Sequence, residues 1–304
     1  MKSVIIENIT KKYEEVVALD RINCTVDKGE LFGFVGPDGA GKTTLFRILT
    51  TLLVPDEGKA TVEGWDVVKD YKKIRSTVGY MPGKFSLYQD LSIEENLHFF
   101  ATIFGTTVKE NLDLVWDIYA QIEPFKKRKA GKLSGGMKQK LALCCALIHK
   151  PLVLFLDEPT TGVDPVSRKE FWEMLQKLKA SGITILVSTP YMDEANLCDR
   201  VALVKDGSFM QIDAPSKIVS EFGRPVYAIQ SDNMYGLIKD LRALEQAHSV
   251  FPFGEYLHYT DEGGEANLEE LENYLQAKNH QSIDIQLIEP NIEDCFMELM
   301  QRAS

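Results

Sequence analysis

Apolar positions divide this chain into segments of two different periods. LFGFVG, from Leu31 to Gly36, and Val153 to Leu156 are unbroken apolar runs, the pattern of parallel strands buried on both faces. Thr44 to Leu53 and MKQKLALCCALIH, from Met137 to His149, space their apolar residues as helices do. Val4 to about Asp27 reads as strands ahead of the first run, and Lys59 to Tyr80 as the continuation of an antiparallel edge. Ser92 to Glu95 is a capping box for a helix ending at Gly105, and Val108, Leu112, Val115, Tyr119 and Ile122 mark the apolar face of another. After Pro215 the pattern changes. Strands are expected over 225–230, 255–259 and 283–288, and helices over 234–244, 268–276 and 292–300. The expected organisation is an α/β domain over residues 1–215, with a helical subdomain at about 84–150, followed by a small α+β unit over 216–304.

Chemistry enters where the first buried strand ends. GPDGAGKTT, from Gly36 to Thr44, lies between a strand and a helix. Gly36, Gly39 and Gly41, interleaved with Pro37, Asp38 and Ala40, let successive backbone N–H groups converge on phosphate oxygens. Lys42 can then reach the outer phosphates of a nucleoside triphosphate, the Thr43 hydroxyl can hold a magnesium ion, and Thr44 closes the loop into the helix. Asp157 and Glu158 emerge at the carboxyl end of the second buried strand, where ligands sit in open α/β sheets. Asp157 suits magnesium through water, and Glu158 suits polarising an attacking water. Ser134, Gly135 and Gly136 precede the helix of MKQKLALCCALIH and leave unpaired N–H groups free for a second phosphate.

LSGGMKQ from Leu133 to Gln139, with the glycine loop, the acids Asp157 and Glu158, and GVDP at Gly162 to Pro165, resembles the nucleotide-binding domain of ATP-binding-cassette (ABC) transporters. The match runs from about Ile5 to Phe209 and is most similar to multidrug-type exporter ATPases. The resemblance implies a P-loop NTPase core with an antiparallel β edge and a helical subdomain. It also implies Mg-ATP as ligand and head-to-tail pairing of two domains, each ATP lying between one partner's Lys42 loop and the other's Ser134 signature. In such a protein Lys42 and Glu158 are catalytic, Thr43 and Asp157 hold the metal, and a membrane permease places the chain at the inner face of the plasma membrane. Tyr13 reads either as the aromatic that stacks on adenine or as a surface tyrosine. Asp164 reads as a contact to the opposite subunit, as a helix N-cap before Pro165, or as both. Phe85, Leu87, Tyr88, Phe99, Phe100 and Phe104 are candidates for the groove that receives the permease, or plain core. The Pro290 to Asp294 turn resembles the close of the exporters' C-terminal unit.

Three positions depart from the family pattern. Asp38 stands for an asparagine and adds negative charge near phosphates. Gly83 stands where a glutamine follows Met-Pro, and Pro190 where a histidine follows Ser-Thr. Neither glycine nor proline can offer the missing side-chain contact. One lost donor of this kind costs on the order of 100- to 1000-fold in rate, so binding is expected to be intact and hydrolysis at this chain's own site slow. An intact signature with a weak own site points to a second cassette as homodimer, heterodimer or tandem half. The competing readings are a nucleotide-gated regulatory scaffold with little turnover and a soluble non-transport ABC ATPase.

Composition trims these options. A net charge of −11 argues against a nucleic-acid surface. No apolar run approaches the roughly 20 residues of a membrane helix. The five cysteines have no metal spacing, and Cys144 and Cys145 read as core in a reducing cytoplasm. Lys126 to Lys132 carry a basic cluster that reads as a solvated face or as a contact for acidic lipid or partner loops. The five histidines lie outside every motif and show no pairing in the sequence. Asp261, Glu262, Glu265 and Glu269 read as surface acids.

Overall fold

Inward Val4, Ile6 and Ile9, with Glu7, Asn8 and Lys12 outward, make KSVIIENITKKY a half-buried strand, β1 (Lys2–Tyr13), which pairs antiparallel with β2 (Val16–Asp27) through a register shift between Ile6 and Ile9. In this computed structural model, which describes residues 1–302, β3 (Leu31–Val35) follows with every residue buried, and α1 (Lys42–Leu49) leaves the glycine loop. The helix is shorter than the apolar spacing predicts. Thr50 Oγ1 donates to the Phe46 carbonyl and Thr51 turns left-handed (φ 64°), which ends it before Leu53.

The next stretch corrects the sequence reading. The antiparallel edge is only β4 (Glu57–Val62) and the short β5 (Trp65–Asp66); α2 (Tyr71–Thr77) then carries the chain into β6 (Val78–Met81), which pairs parallel with a later strand. The apolar continuity of VGYM comes from burial against a helix: a Cβ at Gly79 would lie 2.4 Å from the Ala146 carbonyl oxygen. The helical segment contains α3 (Ile93–Ile103) and α4 (Val108–Tyr119), each started by a complete capping box, and α5 (Gly135–Leu147). Next come β7 (Val153–Asp157), α6 (Pro165–Ala180), β8 (Thr184–Thr189), β9 (Arg200–Lys205) and β10 (Ser208–Asp213).

Two sheets form this unit, one in the order β2-β1-β4-β5 and a six-stranded one in the order β10-β9-β3-β8-β7-β6. The second is parallel from β9 to β6, with β10 added antiparallel. Between the sheets and α1 lies one core, in which Phe34 and Phe46 meet edge to face at 5.6 Å and Phe46 meets Phe155 at 5.6 Å. β3, β7 and β8 therefore end together on one edge, which is where the glycine loop and the acids emerge.

The residues fall into two compact units, Met1–Ala214 and Pro215–Ser304. The second contains α7 (Pro215–Ser220), β11 (Val226–Gln230), α8 (Met234–Arg242), β12 (Ala247–Phe253), β13 (Tyr256–Asp261), α9 (Leu268–Ala277), β14 (Asp284–Ile288) and α10 (Ile292–Arg302). Its antiparallel sheet has the order β12-β13-β11-β14 and packs Leu237, Leu241, Leu271 and Leu275 beneath it. The sequence reading had no β12. AHSVFPF contains Pro252, which demotes a strand to an edge, and an edge is the position that β12 occupies.

Histidine pairing is a second correction, because it arises between elements distant in sequence. His248 meets Glu262 through Nδ1 at 3.0 Å and Glu298 through Nε2 at 2.8 Å. His258 meets Asp294 at 2.7 Å, and His280 meets Asp240 at 3.0 Å. The acids nearby have local partners too: Asp261 accepts from Tyr259 Oη and the Gly263 N–H, and no cluster among the described residues could hold a metal.

Candidate nucleotide-binding site

The glycine loop leaves β3 against two backbones. A Cβ at Gly36 would lie 2.0 Å from the Val204 carbonyl oxygen, and one at Gly41, itself at φ 98°, would lie 2.3 Å from that of Ala18. No other residue fits at either place. Gly39 is also left-handed, while Pro37, Asp38 and Gly39 are exposed and Ala40 is buried. Lys42 begins α1 and folds back across the loop, donating to the carbonyls of Gly36 at 2.7 Å and Pro37 at 2.9 Å. It lies 3.7 Å from Glu158.

The acids stand opposite. Asp157 ends β7, 2% exposed, and accepts from Thr43 Oγ1 at 3.0 Å and from Ser188 Oγ at 2.6 Å. Glu158 leaves the strand left-handed at φ 49° and is held through its N–H by Ser188. Burial raises the Glu158 pKa from its ordinary value; Lys42 opposes this, and Asp38 and Asp157 add to it. Burial lowers the Lys42 pKa, offset by Glu158, Asp38 and Asp157. Asp38 is thus close enough for its charge to act on both groups, attracting the lysine and disfavouring a second anion.

The second helix start differs slightly from expectation. α5 begins at Gly135, so the two glycines are its first turn, with Ser134 as N-cap accepting from the Met137 N–H at 3.4 Å. Gly136 lets α5 approach α6 closely, since a Cβ there would lie 2.8 Å from Ser167 Oγ and would have to displace that hydroxyl. Asp164 caps α6, accepting from the Ser167 N–H at 3.0 Å before Pro165 at the first helical position. A cleft of about 160 Å³ brings Gly135, Gln139 and Glu158 together with Gly83. At Gly83 a Cβ would sit 3.0 Å from the Asp157 carbonyl oxygen, a tight contact with the backbone of the acid strand. Tyr13 ends β1, 42% exposed, with Lys11 over its ring. Thr44 is half-buried in the first turn of α1.

Sequence reasoning missed the residues behind this front. Glu194, 1% exposed, accepts from Thr160 Oγ1 at 2.8 Å and Thr189 Oγ1 at 2.5 Å and lies 3.1 Å from Arg168 Nε. It joins the turn after β7, the end of β8 and α6. Arg168 also pairs with Asp193 and lies over the Tyr191 ring at 4.7 Å. The only signal was proximity in sequence to Pro190, which gives no hint of burial.

The helical segment borders an apolar groove of about 380 Å³, lined by Leu87, Phe100 and Phe104 together with Met81, Cys145 and His149. Of the other candidates, Phe85 lines the Gly83 cleft, and Tyr88 and Phe99 meet edge to face at 4.7 Å. In the basic cluster Lys126 pairs with Glu123, and Lys127, Arg128, Lys129 and Lys132 are exposed. All five cysteines are free and buried, and no described helix is long and apolar enough to cross a membrane.

A glycine loop on a parallel strand, a lysine folded across it, a hydroxyl from the helix that follows and two acids from the end of β7 define a phosphate-loop nucleotide-binding protein of the α/β class. Residues 19–161 match the model of the ABC transporter family. The chain is 34% identical over 305 residues to the Nod factor export ATP-binding protein I of Sinorhizobium fredii, covering 99% of this chain and 86% of that protein. It is 38% identical over 291 residues to the "Probable multidrug ABC transporter ATP-binding protein YbhF" of Escherichia coli, covering 94% of this chain but only 50% of the relative. Among solved structures, cbiO1 of Clostridium perfringens, part of an ABC transporter complex, superposes with TM-score 0.65 at 27% identity over 72% of this chain and 91% of its own. A dimeric bacterial ABC transporter cassette does so with TM-score 0.63 at 26% identity over 69% and 98%. The chain belongs to the ABC transporter family, among its ATP-binding proteins.

Proposed function

We propose that this chain is the ATP-binding subunit of an export transporter, that its Gly36–Thr44 loop holds Mg-ATP, and that its own site turns over slowly. The observation that carries the reading is the convergence of Lys42, Thr43, Asp157 and Glu158: the lysine 3.7 Å from one acid, the threonine 3.0 Å from the other. A hydroxyl and a carboxylate this close fit a shared divalent cation, which would neutralise phosphate charge when bound. Lys42 would exchange the Gly36 and Pro37 carbonyls for phosphate oxygens. Glu158, with its pKa raised by burial, is suited to accept a proton from the attacking water. Tyr13, exposed at the end of β1, is available to stack on adenine.

Slow turnover follows from Gly83 and Pro190, which offer neither a metal contact nor a donor to the γ-phosphate. Ser134, Gly135 and Gly136 are intact and would complete the site of a second cassette. The dimeric cassette among the structural neighbours supports such pairing, and the E. coli relative, twice as long as the matched region, has room for a second one. The apolar groove beside α3 and α5 suits the permease, which would hold the chain at the cytoplasmic face of the membrane.

The experiment is turnover of the purified protein alone and mixed with a second cassette. Expected are tight ATP binding, slow hydrolysis alone, and stimulation on mixing that Ser134→Arg abolishes. Hydrolysis at ordinary transporter rates that Glu158→Gln leaves unchanged would refute the assignment of the acids.

A further inference from the structure

We propose that Ser188 is the residue that positions both site acids, fixing the Asp157 carboxylate for the metal and the Glu158 turn for the attacking water. The proposal rests on the nucleotide reading above. β7 and β8 are parallel neighbours whose register puts Asp157 opposite Ser188 at the last rung of the ladder. Beyond that rung β7 must release Glu158 into the site, and it does so with a left-handed residue. A non-glycine residue holds that conformation only where its surroundings impose it.

Ser188 imposes it with its hydroxyl and its carbonyl together. The hydroxyl proton goes to Asp157 Oδ1 at 2.6 Å, and the hydroxyl oxygen accepts from the Glu158 N–H at 3.0 Å. The Ser188 carbonyl accepts from the same N–H at 3.0 Å. One donor and one accepted bond suit a serine hydroxyl, and the residue is wholly buried. Thr43 is the other donor to Asp157, but in the nucleotide reading its oxygen turns to the metal. The bond from Ser188 then remains to hold the carboxylate's orientation. Because the Glu158 N–H keeps the carbonyl of residue 188 in an alanine variant, losing the hydroxyl leaves no backbone donor unpaired. The damage falls on the orientation of the acids and not on the fold.

The test follows Mn²⁺ in place of magnesium, by electron paramagnetic resonance of free Mn²⁺ at saturating ATP. Ser188→Ala should raise the Mn²⁺ concentration for half-saturation about tenfold, the size of one hydrogen bond to a charged group. Metal-free ATP binding should not change, and the melting temperature should fall by only a few degrees, because Thr43 still donates to Asp157 in the metal-free protein. Ser188→Thr, which keeps the hydroxyl, should stay within about twofold of the parent. In an Asp157→Asn background Ser188→Ala should have no further effect, as required of a residue acting through Asp157. An unchanged Mn²⁺ dependence in Ser188→Ala, an equal loss of metal-free binding, or additivity with Asp157→Asn would overturn the proposal. If the parent protein itself binds no Mn²⁺-ATP, the nucleotide reading fails first.

Discussion

Glu194→Ala removes a buried carboxylate on which three elements converge. The carboxylate is 1% exposed and its partners Thr160 and Thr189 are fully buried, so both hydroxyls lose their acceptor with no water to replace it. Arg168 loses its 3.1 Å contact but keeps Asp193 and the face of Tyr191. Breaking a buried ion pair by removing one partner costs about 3–5 kcal/mol, and the partners left to Arg168 put this case at the low end. For a domain of this size about 3 kcal/mol corresponds to a fall in melting temperature on the order of 6–12 °C. Calorimetry should show that fall, with Glu194→Gln, which keeps one carbonyl acceptor, in between. A change below about 2 °C for the alanine variant would show that the threonines and Arg168 find other partners, and the account of how α6 is tied to the ends of β7 and β8 would be wrong.

In the Pro215–Ser304 unit, His248 has a carboxylate at each ring nitrogen, an arrangement that favours the imidazolium, in which both nitrogens donate. Burial alone would lower its pKa; the bonds to Glu262 and Glu298 outweigh that, against opposition from Arg224, and raise it above 6.5. A raised value means stability that is fully present below 6.5 and lost as pH rises through the folded-state value. Denaturant unfolding of the protein, followed by a probe in this unit, should show stability falling as pH rises above 6.5. His248→Gln should flatten the profile, and a parent profile that rises with pH would contradict the pairing. In the other unit, Gly41→Ala should cost ATP affinity at least about tenfold, because its Cβ would meet the Ala18 carbonyl at 2.3 Å in a conformation that already excludes side chains. Isothermal titration checks this, and unchanged affinity would mean that the loop is free to shift.

Local and periodic features were legible in the sequence. The glycine loop, the buried strands before it and before Asp157, the capping box at Ser92 and the alternation of periods all follow from interactions within a few residues, and backbone conformation is decided over that range. The β6 strand was misread as part of an antiparallel edge because VGYM as a run does not say which strand it pairs with; that is decided by β7, far along the chain. The edge strand β12 was missed because Pro252 weakens the local signal that pairing with β13 overrides.

The sequence by itself determined the chemistry that the loop and the strand-end acids can offer, because glycine spacing, a lysine and carboxylates constrain what a short segment can bind. Only the tertiary structure decided which groups hold those residues in place. Ser188 beneath Asp157, Glu194 between two threonines and Arg168, and His248 between two glutamates each depend on contacts between strands and helices remote in sequence. A buried polar group is worth its cost only when its partners are brought to it, and that is settled by packing and by no local pattern.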